Sequence, residues 1–177
     1  MSQNTNVIKL VVSGDVGSGK TAFVKAISEI DPITTDEVAS DEVKNLKETT
    51  TVAMDFGTLT VDEDLILHLY ATPGQKRFDF MWDVLAEGSF GVIFLADATR
   101  KESIEKTSHI VDYFNKNMSD IPYIIGVTKM DIEGSFSLEE VMDIIGKTET
   151  QYIPLNADNK EDVRSTLITL ISMAMSD

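Results

Sequence analysis

The chain has 177 residues and is 42% hydrophobic, ample for one core and short for two, and no apolar stretch approaches the roughly 20 residues that cross a bilayer. It has no cysteine, which excludes disulfides, thiolate metal sites, cysteine catalysis and thioester or prenyl anchoring, and fits a cytoplasmic protein. Thirty acidic against fifteen basic residues give a formal charge of −15, which repels a phosphate backbone and argues against general nucleic-acid binding.

In chain order, residues 7–13 read as a buried strand, and roughly 19–29 as the first helix. Between them lies Gly14-Asp15-Val16-Gly17-Ser18-Gly19-Lys20-Thr21, a Walker A loop in its required strand, turn, helix setting. Its glycines let the backbone curl so that successive N–H groups point at phosphate oxygens. Lys20 is placed to bridge the terminal phosphates, Thr21 to put its hydroxyl on Mg2+, and the helix to aim its positive end at the same ligand.

From Ile30 to about Thr50 the pattern breaks into a polar connection long enough to predict a mobile functional loop. From Glu29 to Asp64 acidic residues far outnumber Lys44 and Lys47, either as a solvated face or as a surface that steers a basic partner. Residues 52–61 and 65–70, joined by Asp62-Glu63-Asp64, read as an antiparallel hairpin. A second irregular segment, Thr72 to about Phe80, leads into a short amphipathic helix.

The uniformly apolar runs 91–96 and 123–127 predict central parallel strands covered on both faces. Helices follow at about 101–117, 137–147 and 160–174, with Ser137 and Glu140 spaced as a capping box. Residues 151–155 give the last strand, with Pro154 near its end. The sum is a single three-layer α/β P-loop NTPase domain over 1–177, with a mostly parallel sheet of about six strands and one antiparallel hairpin edge strand.

Thr128-Lys129-Met130-Asp131 follows a central strand. A carboxylate at Asp131 can accept from both the ring N–H and the exocyclic amine of guanine, a donor pair that adenine does not present, and the Lys129 stem can lie along the base. Asn156 and Ala157 follow the last strand, where the Ala157 N–H can meet the guanine carbonyl oxygen. The Thr49-Thr50-Thr51 run offers a hydroxyl to Mg2+, the Gly74 N–H a contact to the terminal phosphate, and Gln75 an amide to orient an attacking water.

With these motifs in place the chain resembles the small Ras-like GTPases, and especially the prokaryotic MglA-like branch associated with roadblock-domain partners. The resemblance implies a GTP/GDP switch that uses Mg2+, with Lys20 and Thr21 at phosphate and metal, Thr51 as the switch I threonine, and Gly74 and Gln75 in switch II. It also implies Thr128, Lys129, Asp131 and Ala157 around guanine. Similarity of Thr51-Val52-Ala53-Met54-Asp55-Phe56 to a Rab-like segment selects Thr51, with a register open by one residue.

Three residues depart from that family pattern. Ala71 stands where an aspartate usually supports the metal, so the expectation is weaker magnesium coupling or a relocated carboxylate. Val16 stands where Ras has glycine and is expected to crowd Gln75 and any inserted arginine, giving slow hydrolysis without an activator. Lys76 replaces a frequent glutamate, as a latch to the acidic loop or as an exposed lysine. Trp82, Phe78 and Phe80 read as core or as a partner patch, and His68 as a sheet-face residue. The alternative function is a guanine-nucleotide-bound scaffold with negligible turnover. The chain start shows neither a leader nor a myristoylation pattern, so membrane recruitment is expected to need a partner.

Overall fold

The computed structural model describes residues 4–34, 55–73 and 80–176. Among these residues seven strands form one sheet: β1 (Asn6–Gly14), β2 (Ile33–Thr34), β3 (Asp55–Asp62), β4 (Leu65–Ala71), β5 (Gly91–Asp97), β6 (Tyr123–Thr128) and β7 (Tyr152–Leu155). Among the described residues five helices accompany them: α1 (Lys20–Ile27), α2 (Phe80–Ala86), α3 (Lys101–Asn117), α4 (Leu138–Ile145) and α5 (Lys160–Ser176).

The strand order is β2-β3-β4-β1-β5-β6-β7. β1 pairs in parallel with β4 and β5, and β5-β6-β7 continue in parallel, while β2-β3 and β3-β4 are antiparallel. The six longer strands are those the sequence predicts. The seventh, β2, has only two residues inside the stretch expected as loop, too few to carry a periodicity. It moves the sheet edge one strand outward from the hairpin.

Alternation along β1 divides the core. Leu10 and Val12 join Phe23 and Val24 of α1 and Leu167 and Leu170 of α5 on one face. Val11 joins Trp82 of α2, Ile104 and Phe114 of α3 and Val141 of α4 on the other. Every residue of β5 is buried, as expected of a central parallel strand covered on both sides. Ser137 and Glu140 close the expected capping box at α4, and Pro154 sits in the edge strand β7. β1 lies between the first hairpin and the later crossovers, so strand connections diverge on its two sides. The crevice at its carboxyl end is therefore the position where an open α/β sheet receives a ligand.

Candidate functional site

The loop leaving β1 is fixed from below. Gly14 has φ 151°, and a Cβ there would lie 2.6 Å from the Leu95 carbonyl oxygen and 2.7 Å from Ser18 Oγ. Gly19, with φ 109°, is the N-cap of α1, and its Cβ would lie 3.1 Å from that of Ala157. Both positions demand glycine on conformation and on space. α1 has no side-chain cap hydrogen bond and no acidic residue in its first turn, unlike α4 with its complete capping box. Its first-turn N–H groups and positive end are left for an anion.

A cavity of about 560 Å³ opens at this end, lined by Gly17, Gly19, Lys20, Thr21, Lys25 and Asp158 among others. Lys20 Nζ donates to the Gly14 carbonyl at 2.9 Å and to the Asp15 carbonyl at 2.6 Å. Burial lowers the Lys20 ammonium from its ordinary 10.5 to about 8, opposed by the charges of Asp15 and Asp55. The loop thus holds its own lysine on neutral carbonyls, where an oxyanion would be a stronger partner.

Thr21 Oγ1 donates a short hydrogen bond to Asp55 Oδ2. Asp55 is the first residue of β3 and pairs in register with Ala71, the last of β4. A hairpin closed by the Asp62–Leu65 pair would, without interruption, have set Phe56 against Ala71. A bulge between Thr60 and Asp62 shifts the register and brings Asp55 there instead. A carboxylate therefore does stand beside Thr21 although position 71 is a methyl group. Asp55 is thus the carboxylate that the hairpin register sets next to Thr21.

A second cavity of about 300 Å³ shares Gly19, Ala22 and Asp158 with the first and adds Ser18, Thr128, Lys129, Asp131, Asn156 and Ala157. Thr128 Oγ1 donates to the Ser18 carbonyl at 2.8 Å, so this loop is tied to the first by a buried bond. Lys129 is the one non-glycine residue with positive φ among the described residues, at 62°. Its ammonium donates to the Gly17 carbonyl at 2.7 Å and to Asp97 Oδ2 at 2.9 Å. Asp97 is fully buried at the end of β5. Burial pushes its carboxyl up, but hydrogen bonds from Thr99 and Lys129 and the Lys129 charge together hold it below the ordinary value. Asn156 turns its side-chain oxygen to the Asp158 N–H at 3.0 Å, while its own N–H donates to Asp162 at 2.8 Å.

Residues 30–177 match the family model described as a conserved hypothetical ATP binding protein. The chain belongs to that family. The matched span begins after α1, so the phosphate-type loop lies outside it. An uncharacterized protein of Methanocaldococcus jannaschii is 31% identical over 134 residues, covering 76% of this chain and 77% of that protein. The Ras-related protein Rab-18 of Caenorhabditis briggsae is 26% identical over 177 residues, covering 96% of this chain and 81% of its own. The GTP-binding protein ypt2 of Schizosaccharomyces pombe is 26% identical over 173 residues, covering 93% and 79%.

In this member of the family the structure brings Gly17, Gly19, Lys20 and Thr21 to one cavity and Thr128, Lys129, Asp131, Asn156 and Ala157 to the other. Gly14 and Asp15 act through carbonyls on Lys20. Val16 is 53% exposed, lines neither cavity, and offers its carbonyl to Arg100 at 2.9 Å. Thr51, Gly74, Gln75, Lys76 and Phe78 lie outside the described residues, and with them the expected crowding of Gln75. Trp82 is core, packed on Tyr113 and Phe114, and its indole N–H donates to the Pro73 carbonyl at 3.3 Å. His68 is half-buried on the sheet face, edge-on to Phe56. Sequence reasoning passed over Asp55, Asp97 and Arg100. The first carried a signal in the hairpin pairing, obscured by the bulge; the other two look like an ordinary strand end and helix start.

Proposed function

We propose that the protein binds GTP and GDP with Mg2+, hydrolyses GTP slowly and acts as a molecular switch. The observation that carries this reading is the position of Asp131 in the cavity that joins the one at Lys20 and Thr21 through Gly19 and Ala22. A carboxylate there accepts two hydrogen bonds from guanine, whereas adenine turns a ring-nitrogen lone pair toward it.

Thr21 and Asp55 are hard oxygen donors in direct hydrogen-bond contact beside the phosphate cavity, a set that fits Mg2+. They and Thr51 would hold the ion, which when bound neutralises charge on the β- and γ-phosphate oxygens. Lys20 exchanges its carbonyl partners for phosphate oxygens and stabilises the charge that develops on them. Gln75 orients the attacking water in line with the γ-phosphorus, and the bond to the β–γ bridging oxygen breaks. Loss of the γ-phosphate releases the segments near 30–51 and 72–80, changing the surface offered to an effector.

The MglA-like resemblance supports a roadblock-type regulator or activating protein as partner, and a cytoplasmic protein brought to membranes, if at all, by that partner. Among the described residues no helix is long and apolar enough to cross a membrane. The family description favours a second reading, adenine-nucleotide binding. Competition of unlabelled GDP and ADP against a fluorescent GDP analogue tests the choice, followed by chromatography of bound GTP over time in Mg2+. Guanine preference with slow conversion to GDP is expected. ADP competing as well as GDP overturns guanine reading, and GTP unchanged even with an activating partner leaves the scaffold function in place of the enzyme.

A further inference from the structure

We propose that Arg100 is a positioning residue for the phosphate loop, holding the Val16 carbonyl outward so that the Gly17 N–H faces the phosphate cavity. The inference rests on the phosphate-binding reading of that cavity. Arg100 directly precedes α3, and its Nη2 donates to the Val16 carbonyl at 2.9 Å. The peptide joining Val16 to Gly17 is planar and trans, so its carbonyl and N–H point in opposite directions. Fixing one fixes the other.

The surroundings fit that role. Gly17 has φ 77°, and a Cβ there would meet Arg100 Nη2 at 3.5 Å, so the guanidinium lies against the loop itself. The next carbonyl, that of Gly17, is held in the same way by Lys129 at 2.7 Å. Both cations share one anchor, the buried Asp97 Oδ2, at 3.4 Å from Arg100 Nη2 and 2.9 Å from Lys129 Nζ. Asp15 Oδ2 adds a longer contact to Arg100 at 3.9 Å. The Ser18 N–H is occupied by the Asp15 carbonyl at 3.2 Å, whereas the Gly17 N–H donates to no group among the described residues. Gly17 also lines the phosphate cavity. Two successive carbonyls are thus held by cations, and the intervening donor is left for a ligand.

Arg100 is 51% exposed, and such contacts add little to folding stability. Its removal should therefore act on the bound phosphates more than on the fold. The experiment compares wild type, Arg100→Ala and Arg100→Lys by GDP and ADP titration, by the ³¹P resonance of the bound β-phosphate and by melting of the nucleotide-free protein. Arg100→Ala is expected to weaken the preferred diphosphate roughly three- to tenfold, the size of one ordinary hydrogen bond, and to move the β-phosphorus resonance while the melting point stays near wild type. Arg100→Lys keeps a donor and should recover part of the affinity. A wild type that binds with an alanine variant of unchanged affinity and ³¹P shift overturns the role of Arg100 alone. A wild type that binds neither nucleotide overturns this inference together with the phosphate-binding reading.

Discussion

Asp55 sits opposite Ala71 in the β3–β4 ladder, and its carboxylate accepts the hydroxyl of Thr21. A position that lacks a carboxylate in one strand is thereby served by the neighbouring strand. The price of that arrangement is a bulge, which interrupts the hairpin near its turn and leaves the pairing from Asp55 to Thr60 unbroken. Thr21 reaches the same carboxylate from the start of α1, so the hairpin and the phosphate-type loop meet at one oxygen atom.

If Asp55 supports Mg2+, removing its carboxylate should uncouple nucleotide retention from the metal. Loss of a partner that orients a metal ligand costs on the order of 10- to 100-fold in metal affinity. In Asp55→Ala the release rate of a fluorescent GDP analogue should depend far less on EDTA than in wild type. Stopped-flow traces with and without chelator check this. An unchanged EDTA effect would show that another group supports the ion.

Lys20 predicts a pH dependence. Its ammonium is lowered to about 8 in the nucleotide-free protein by burial, and phosphate charge must raise it on binding. Above pH 8 binding then takes up a proton, so affinity for GDP should fall as pH rises from about 8. Calorimetry at pH 8.5–9 in buffers of different ionisation enthalpy reads the uptake directly. The folding linkage has the opposite slope. Because the folded value of about 8 lies below the unfolded 10.5, the unfolded chain binds more protons between them, and nucleotide-free stability gains from Lys20 as pH rises through that window.

The placement of the loop from Gly14 to Thr21 was legible because its glycines, Lys20 and Thr21 are consecutive, so strand and helix on either side position them without help from the rest of the chain. Thr128 to Asp131 was legible for the same reason, as a strand end beside that loop. Asp55, Asp97 and Arg100 were not, because each owes its place to a long-range relation. Asp55 depends on one bulged residue, since a single register step exchanges it for Phe56 opposite Ala71. Arg100 and Lys129 meet on Asp97 only after β5 and β6 pair in parallel, setting Asp97 beside Thr128. Two-residue β2 has no period to read, and only its pairing with β3 defines it.

Asp131 gives a change of specificity. Replacing its carboxylate with an amide in Asp131→Asn supplies one donor and one acceptor, which suits xanthine, whose 2-oxo group replaces the guanine amine. The variant should lose GDP affinity by one to two orders of magnitude, about the effect of leaving a charged hydrogen-bonding pair unmade, and gain affinity for XDP. Titration of both diphosphates against wild type and variant measures it. A variant that still prefers GDP would place the guanine contact elsewhere.

Thr128 tests whether the two cavities are held together by the bond between their loops. Its hydroxyl is buried and donates to the Ser18 carbonyl at 2.8 Å and, more weakly, to the Ala96 carbonyl at 3.3 Å. Thr128→Val keeps the shape and leaves those carbonyls without this donor, a loss of about 1–3 kcal/mol. For a chain of this size that lowers the melting temperature by roughly 2–12 °C. Nucleotide release should also quicken, since the Ser18 backbone is no longer tied to the loop carrying Asp131. Thr128→Ser retains the hydroxyl and should stay close to wild type in both respects. If valine and serine variants release nucleotide at the same rate, the bond serves packing alone, and coupling between the cavities runs through Lys129 and the Gly17 carbonyl instead.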